Sequence, residues 1–306
     1  MTRIATMTTR SDAMTTTTTE PMTKTIEAPG AVLAYDVREN PDTTEPPLFV
    51  MASPMGAGGF GTLASHFTDR TVVTYDPRGV DRSVKDDPSS QSTPEQHADD
   101  LHRIIGALGG GPIDLFASSG GAINALALVA AHPEDVRTLV AHEPPLASIL
   151  PDREHALAAA RGIFDEYQRS GSGPATARFI GLVMHKGLID QAYLDRPAPD
   201  PAMFGMSSED DGTRTDPLLA QNILASTAYE PDFDALRRAS TRIVVVAGAE
   251  SDGELAHRGA EATAERLGSE VVIFPSNHAG FLGGEYGQTG DPDGFAAKLR
   301  DVLAAG

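Results

Sequence analysis

A chain of 306 residues, 40% hydrophobic and 22% charged, has enough apolar mass to bury a sizeable core and lies within ordinary globular usage. A formal net charge of −19, from 24 basic and 43 acidic residues, sets up a field that repels nucleic acid and anionic membrane, so neither is an expected partner. The absence of cysteine excludes disulfides, thiolate metal sites and a cysteine nucleophile, and every apolar run is far shorter than the roughly 20 residues a membrane-spanning helix needs.

Residues 1–22 are Thr-rich, carry four Met and lack an apolar segment of secretory type, which predicts a disordered leader and a cytoplasmic protein. Residues 25–38 predict a strand pair, with Ala28-Pro29-Gly30 supplying the turn. Residues 47–53 form a continuous apolar run ending in Ser-Pro and glycines, the pattern of a strand buried on both faces. Strand patterns over 71–75, 113–117, 136–142, 242–247 and 271–274 then alternate with helical patterns over 94–108, 121–131, 254–267 and 295–303. That alternation predicts an α/β fold with a mainly parallel, doubly wound sheet covered on both faces. Between about 145 and 236 no buried strand is predicted, while helical patterns recur over 155–167, 175–184 and 218–228. Such an insertion sits outside the carboxyl ends of the strands, where open α/β sheets bind ligands, and predicts a helical cap over a pocket. The expected organisation is a leader at 1–22, a core built from 23–147 and 237–306, and an inserted cap at 148–236.

The most specific local signal is Ile113-Asp114-Leu115-Phe116-Ala117-Ser118-Ser119-Gly120-Gly121, an apolar strand that stops at serine and glycine and becomes a helix. Such a turn strains the serine backbone and needs small residues two places to either side. Centred on Ser119 the flanks are Ala117 and Gly121, whereas centring on Ser118 puts Phe116 in the crowded position. Ser119 is therefore the nucleophile candidate, with Ala117 adding one methyl group where glycine is usual.

With this elbow the chain resembles the α/β-hydrolase family over nearly everything after Thr25. Asp76-Pro77-Arg78-Gly79-Val80-Asp81-Arg82-Ser83 is similar to that family's D-x-R-G-x-G-x-S segment, with Asp81 in place of the second glycine. Ser53-Pro54-Met55-Gly56 lies where the family commonly has His-Gly and an oxyanion residue, so the resemblance implies that the Met55 and Gly120 N–H groups face the substrate carbonyl. It also implies a base in the loop after the last strand, where Pro275-Ser276-Asn277-His278-Ala279-Gly280 follows directly; of nine histidines, His278 stands there. A neutral imidazole can take the serine proton and return it to a leaving group.

Three carboxylates compete for the third role. The family's usual place falls at position 251 of Gly248-Ala249-Glu250-Ser251-Asp252, where serine stands, with Glu250 one residue early and Asp252 one late. Some relatives, including one branch of the haloalkane dehalogenases, instead use a Glu at the end of the strand that follows the nucleophile helix, and Glu143 in Val140-Ala141-His142-Glu143-Pro144-Pro145 occupies that place. Glu143 is the first choice, Asp252 the second and Glu250 the third.

The resemblance implies acyl transfer without cofactor or metal, on a small and largely apolar ester, lactone or related substrate. Cofactor-independent oxygenases, perhydrolases and carbon–carbon bond hydrolases share similar sites and form the first alternative; a hydrolase scaffold that only binds a small ligand forms the second. His142 reads as a hydrogen-bonded structural residue, and His66, His97, His102, His132, His155, His185 and His257 as surface residues without H-E-x-x-H spacing. The glycines at 56–61 are one residue short of G-x-G-x-x-G, so nucleotide binding is not expected. Asp99 and Asp100 read as a solvated helix face, and Phe164, Tyr167, Phe179 and Met184 as pocket lining or, more commonly for such stripes, packing against the sheet.

Overall fold

The computed structural model describes residues 20–305, so the leader expected over 1–22 lies, up to position 19, outside the described residues. Its last residue, Met22, already opens a strand: β1 (Met22–Ala28) pairs antiparallel with β2 (Ala31–Arg38) across a turn at Pro29-Gly30. The other strands are β3 (Leu48–Ser53), β4 (Val72–Tyr75), β5 (Val84–Lys85), β6 (Ile113–Ser119), β7 (Val136–His142), β8 (Arg242–Gly248) and β9 (Val272–Phe274). They form one sheet in the order β1-β2-β4-β3-β6-β7-β8-β9, with the short β5 paired to β2. β2 runs antiparallel to β4, and every pairing from β4 to β9 is parallel. The mainly parallel, doubly wound α/β sheet expected from the alternation is the sheet observed.

The α-helices are α1 (Gly61–Ser65), α2 (Pro94–Ala107), α3 (Gly120–Ala131), α4 (Arg153–Ser170), α5 (Ser172–Val183), α6 (Gln191–Leu194), α7 (Ile223–Ala228), α8 (Phe233–Arg238), α9 (Leu255–Leu267) and α10 (Pro292–Ala304). Strand β6 shows why the central runs are continuously apolar. Ile113, Leu115 and Ala117 pack with Leu101, Ile104 and Leu126 of α2 and α3, while Phe116 points to the other face with Phe60, Phe281 and Phe295. A strand covered on both sides has no wet face to mark with polar residues. Helix α2 starts where its sequence says, on Pro94 behind a capping box in which Thr93 and Gln96 satisfy each other's backbone N–H groups. No helix of the described residues is long and apolar enough to cross a membrane.

Helices α4 to α7 close over an apolar cluster of their own that includes Ile163, Tyr167, Leu182, Leu219 and Ile223. Tyr167 is therefore buried inside the insertion, neither lining a pocket nor touching the sheet, and Met184 is 66% exposed. The single helix expected over 218–228 is broken into a π-helical turn, Pro217–Asn222, followed by α7. The boundary expected at 236 falls inside α8, whose Phe233 and Leu236 join the core cluster under the sheet, so the core resumes at Phe233.

Three groups read as solvent-facing, Asp100, His97 and His257, are buried, the first two because their partners come from distant parts of the chain. Asp100 is fully enclosed and takes a two-pronged ion pair from Arg78, with Nε and Nη2 at 2.7 and 2.6 Å. His97, one turn earlier on the same face of α2, places Nε2 2.8 Å from Oδ1 of Asn222 in the π-helical turn. The same turn is tied down by the Ser92 N–H donating to the Gln221 carbonyl at 2.8 Å.

Candidate active site

Ser119 ends β6 and caps α3 with no intervening loop, and its backbone takes φ 58° and ψ −131°. The small neighbours have a steric cause. A Cβ on Gly120 would lie 2.7 Å from the Ser53 carbonyl oxygen, and one on Gly121 would lie 2.7 Å from Cα of Ala52, both atoms of the adjacent β3 backbone that cannot move aside. The chain is thus squeezed against β3 as it turns, which lifts Ser119 to the carboxyl end of the sheet beside the unpaired N–H groups that open α3.

Ser53 is the register partner of Ser119, so the loop carrying Met55 starts alongside the serine. Asp76 holds that loop. Its buried carboxylate accepts the Ala57 N–H at 2.8 Å on one oxygen and Arg82 Nε at 2.7 Å on the other, while Arg82 also pairs with Asp36 at 2.9 Å. Ser83 donates its hydroxyl to the Asp76 carbonyl at 2.6 Å and accepts the Ala34 N–H at 2.9 Å. The Asp76-to-Ser83 segment is therefore a clamp on the loop that follows Ser53 and carries Met55. The glycine-rich stretch after Met55, set aside as a nucleotide loop, is a 3₁₀ turn over Ala57–Phe60 that leads into α1.

Glu143 follows β7 with φ 47° and has a fully buried carboxylate. One oxygen accepts the Gly248 N–H at 2.8 Å and the Ser251 hydroxyl; the other faces Nδ1 of His278. Burial is the largest influence on this carboxyl and pushes it up. The hydrogen bond from His278, the charges of His142 and His278 and the hydroxyl of Ser251 outweigh it and bring Glu143 down to about 2. Asp252, by contrast, has a side chain 85% exposed and reaches only His257, at 4.0 Å. Glu250 is exposed as well and bonds through its carbonyl to Lys186. Neither bonds to His278, because after β8 the chain turns residue 251 inward and leaves 250 and 252 outside. Of the three carboxylates Glu143 alone, among the described residues, faces His278, and the serine at position 251 bonds to it.

His278 is 39% exposed on its side chain, and its ring stacks on that of His142 with centroids 5.6 Å apart and planes 22° from parallel. His142 itself is buried and bonds through Nδ1 to Ser118 Oγ at 2.8 Å. Among the described residues Ser119 has no side-chain hydrogen bond, so the structure joins His278 to Glu143 and leaves the Ser119 hydroxyl open. Such bonds commonly tighten only when substrate is present.

The site thus combines a strained serine at a strand-to-helix turn with a buried Glu and a loop His that follow along the chain and face each other. The model of the alpha/beta hydrolase fold matches residues 54–285. The chain belongs to the α/β-hydrolase fold family. This α/β-hydrolase is 30% identical over 288 residues, 91% of its length and 95% of the relative's, to the uncharacterized hydrolase YraK of Bacillus subtilis strain 168. Among solved structures it is similar to a thermophilic esterase from Thermogutta terrifontis, with TM-score 0.65, 20% identity and coverage of 94% and 98% of the two chains. It is also similar to the enol-lactonase of Burkholderia xenovorans LB400, with TM-score 0.65, 17% identity and coverage of 92% and 100%.

Sequence reasoning did not single out Ser118, Ser251 or the clamping role of Asp76 in this α/β-hydrolase. Ser251 carried a signal, a serine where relatives have an acid; Ser118 carried none beyond standing next to Ser119. Among the described residues one group of three has potential metal-ligating atoms close together: His102, His132 and Asp135. It lies at the amino ends of β6 and β7, away from Ser119 and Glu143. The two imidazoles stack with centroids 3.9 Å apart and planes 11° from parallel, so one ion cannot lie in both ring planes.

The depressed Glu143 has a consequence for acid stability. Its folded value, about 2, lies below the ordinary 4.5, so its stabilising contribution is complete above 4.5 and is lost as the pH falls through 2. Urea unfolding of wild type and Glu143→Gln from about pH 6 to about pH 2 should show the difference between them moving against wild type by on the order of 3 kcal/mol.

Proposed function

We propose that the protein is a serine hydrolase that cleaves a small, largely apolar ester, lactone or related acyl substrate through an acyl-enzyme. Ser119 Oγ attacks the carbonyl carbon as its proton passes to Nε2 of His278, whose Nδ1–H stays on Glu143. The Met55 and Gly120 N–H groups take up the charge on the carbonyl oxygen, and each such donor is worth ~100-fold or more in turnover. Collapse expels the alcohol, which takes the proton from Nε2, and water repeats the sequence to free the acid and restore Ser119.

The observation that carries this reading is the buried, ionised Glu143 on Nδ1 of His278. A carboxylate there fixes the tautomer with a free Nε2 and stabilises the imidazolium once formed. The esterase and the enol-lactonase among the structural neighbours support an acyl substrate. The net charge of −19 favours a small-molecule partner over nucleic acid or anionic membrane.

A panel of p-nitrophenyl esters and simple lactones tests the reading. Acetate and butyrate esters should turn over roughly tenfold or more faster in kcat/KM than laurate or palmitate. No turnover of any ester or lactone, with the protein folded, would count against it.

A further inference from the structure

We propose that His142 is a positioning residue for all three members of the site, cross-linking the strand ends that carry nucleophile and acid and forming the floor on which the base lies. This rests on the hydrolase reading for what is positioned, and on geometry for how. Ser118 and His142 are register partners on the neighbouring parallel strands β6 and β7, and their side chains bond at 2.8 Å. The next residue on each strand is a site residue, Ser119 after Ser118 and Glu143 after His142, and both turn away with positive φ, 58° and 47°. Non-glycine residues stay in such conformations only where the surroundings hold them. A side-chain bond joining the two strands immediately before both turns supplies that hold. The same imidazole stacks under His278, which Glu143 grips only along one edge.

Packing alone does not explain an imidazole at this position. His142 is fully buried in a box of Phe116, Phe281 and Phe295, with centroid separations of 5.9, 6.2 and 5.4 Å. Its Nε2 has no hydrogen-bond partner among the described residues, an unfavourable state that phenylalanine would avoid. The bond from Nδ1 to Ser118 is what phenylalanine would lack. Burial, the largest influence, brings His142 down to about 4; Glu143 acts against this and His278 with it. A ring that stays neutral through the working range offers His278 an uncharged face and does not act as a rival base.

The test uses His142→Ala, His142→Phe and Ser118→Ala in the full chain, with kcat and KM on a p-nitrophenyl ester. Thermal midpoints and the far-downfield proton resonance of the His278 Nδ1–H on Glu143 complete it. His142→Ala should lower kcat by roughly 30- to 100-fold with KM within about threefold, because small misplacements of reacting groups have effects of that size. The downfield resonance should broaden or vanish in His142→Ala. His142→Phe restores the stacked ring without the bond, and should recover kcat to within about tenfold of wild type and keep the resonance. Ser118→Ala should lose about as much as His142→Phe. Unchanged kcat and resonance in His142→Ala would overturn the proposal. So would a loss in His142→Ala that His142→Phe does not restore at all. If His142→Ala does not fold, the two near-isosteric variants decide: reduced kcat at a wild-type midpoint supports positioning, and wild-type kcat in both overturns it. If wild type turns over no ester, the hydrolase reading fails while the resonance still decides whether His142 places His278.

Discussion

Replacing Ser119 with alanine should lower ester turnover by roughly 10⁴-fold or more while leaving the thermal midpoint near that of wild type. The separation of the two effects follows from the turn. Alanine keeps the Cβ that already occupies φ 58°, and Ser119 has no side-chain hydrogen bond among the described residues to lose. What disappears is the hydroxyl that the proposed reaction uses as its nucleophile, beside the opening N–H groups of α3. The activity that remains belongs to those N–H groups and to binding, which act without the nucleophile. Kinetics on the best p-nitrophenyl ester and a melting curve on the same preparation check both halves.

The second large effect is expected at Glu143. Glu143→Gln should reduce kcat by roughly 10³- to 10⁴-fold, and Asp252→Asn should leave it within about threefold of wild type. The loss comes from hydrogen-bond direction more than from charge. The Gly248 N–H and the Ser251 hydroxyl both donate to one oxygen of Glu143, so a glutamine must turn its carbonyl toward them. Its amide NH₂ then faces Nδ1 of His278, which accepts a hydrogen bond there and carries its own proton on Nε2. That tautomer cannot take a proton from Ser119. Asp252 has no such leverage, with its carboxylate in solvent 4.0 Å from His257. Steady-state kinetics of the two variants, with circular dichroism to confirm folding, distinguish the acids; a loss in Asp252→Asn with Glu143→Gln unaffected would reverse the assignment.

The sheet and the elbow were readable from the residues because both impose local rules. Strands buried on two faces become short apolar runs, as in β3 and β6, and a turn pressed against β3 admits only small residues, which separated Ser119 from Ser118. His278 was placed in its loop by order along the chain. The carboxylate that faces it was not, since Glu143, Glu250 and Asp252 all stand at strand ends and the pairing depends on which residue after β8 turns inward. That residue is Ser251, which bonds to Glu143 instead of replacing it. The burial of Asp100 and His97 was hidden for a related reason: their partners, Arg78 and Asn222, lie 22 and 125 positions away. No periodicity within α2 separates a solvated charge from one enclosed by a distant arginine. The π-helical break at Pro217–Asn222 was likewise hidden, because beyond its own Asp216 cap and Asn222–Pro217 bond it is tied down by contacts from the distant Ser92 and His97.

The most direct test of the central claim is covalent. Wild type, Ser119→Ala and His278→Ala are treated with a fluorophosphonate and analysed by intact mass, followed by peptide mapping. A nucleophile at Ser119 activated by His278 predicts one adduct per chain in wild type on the peptide containing Ser119, none in Ser119→Ala, and strongly slowed labelling in His278→Ala. An unlabelled wild type, or an adduct that persists in Ser119→Ala, would contradict it.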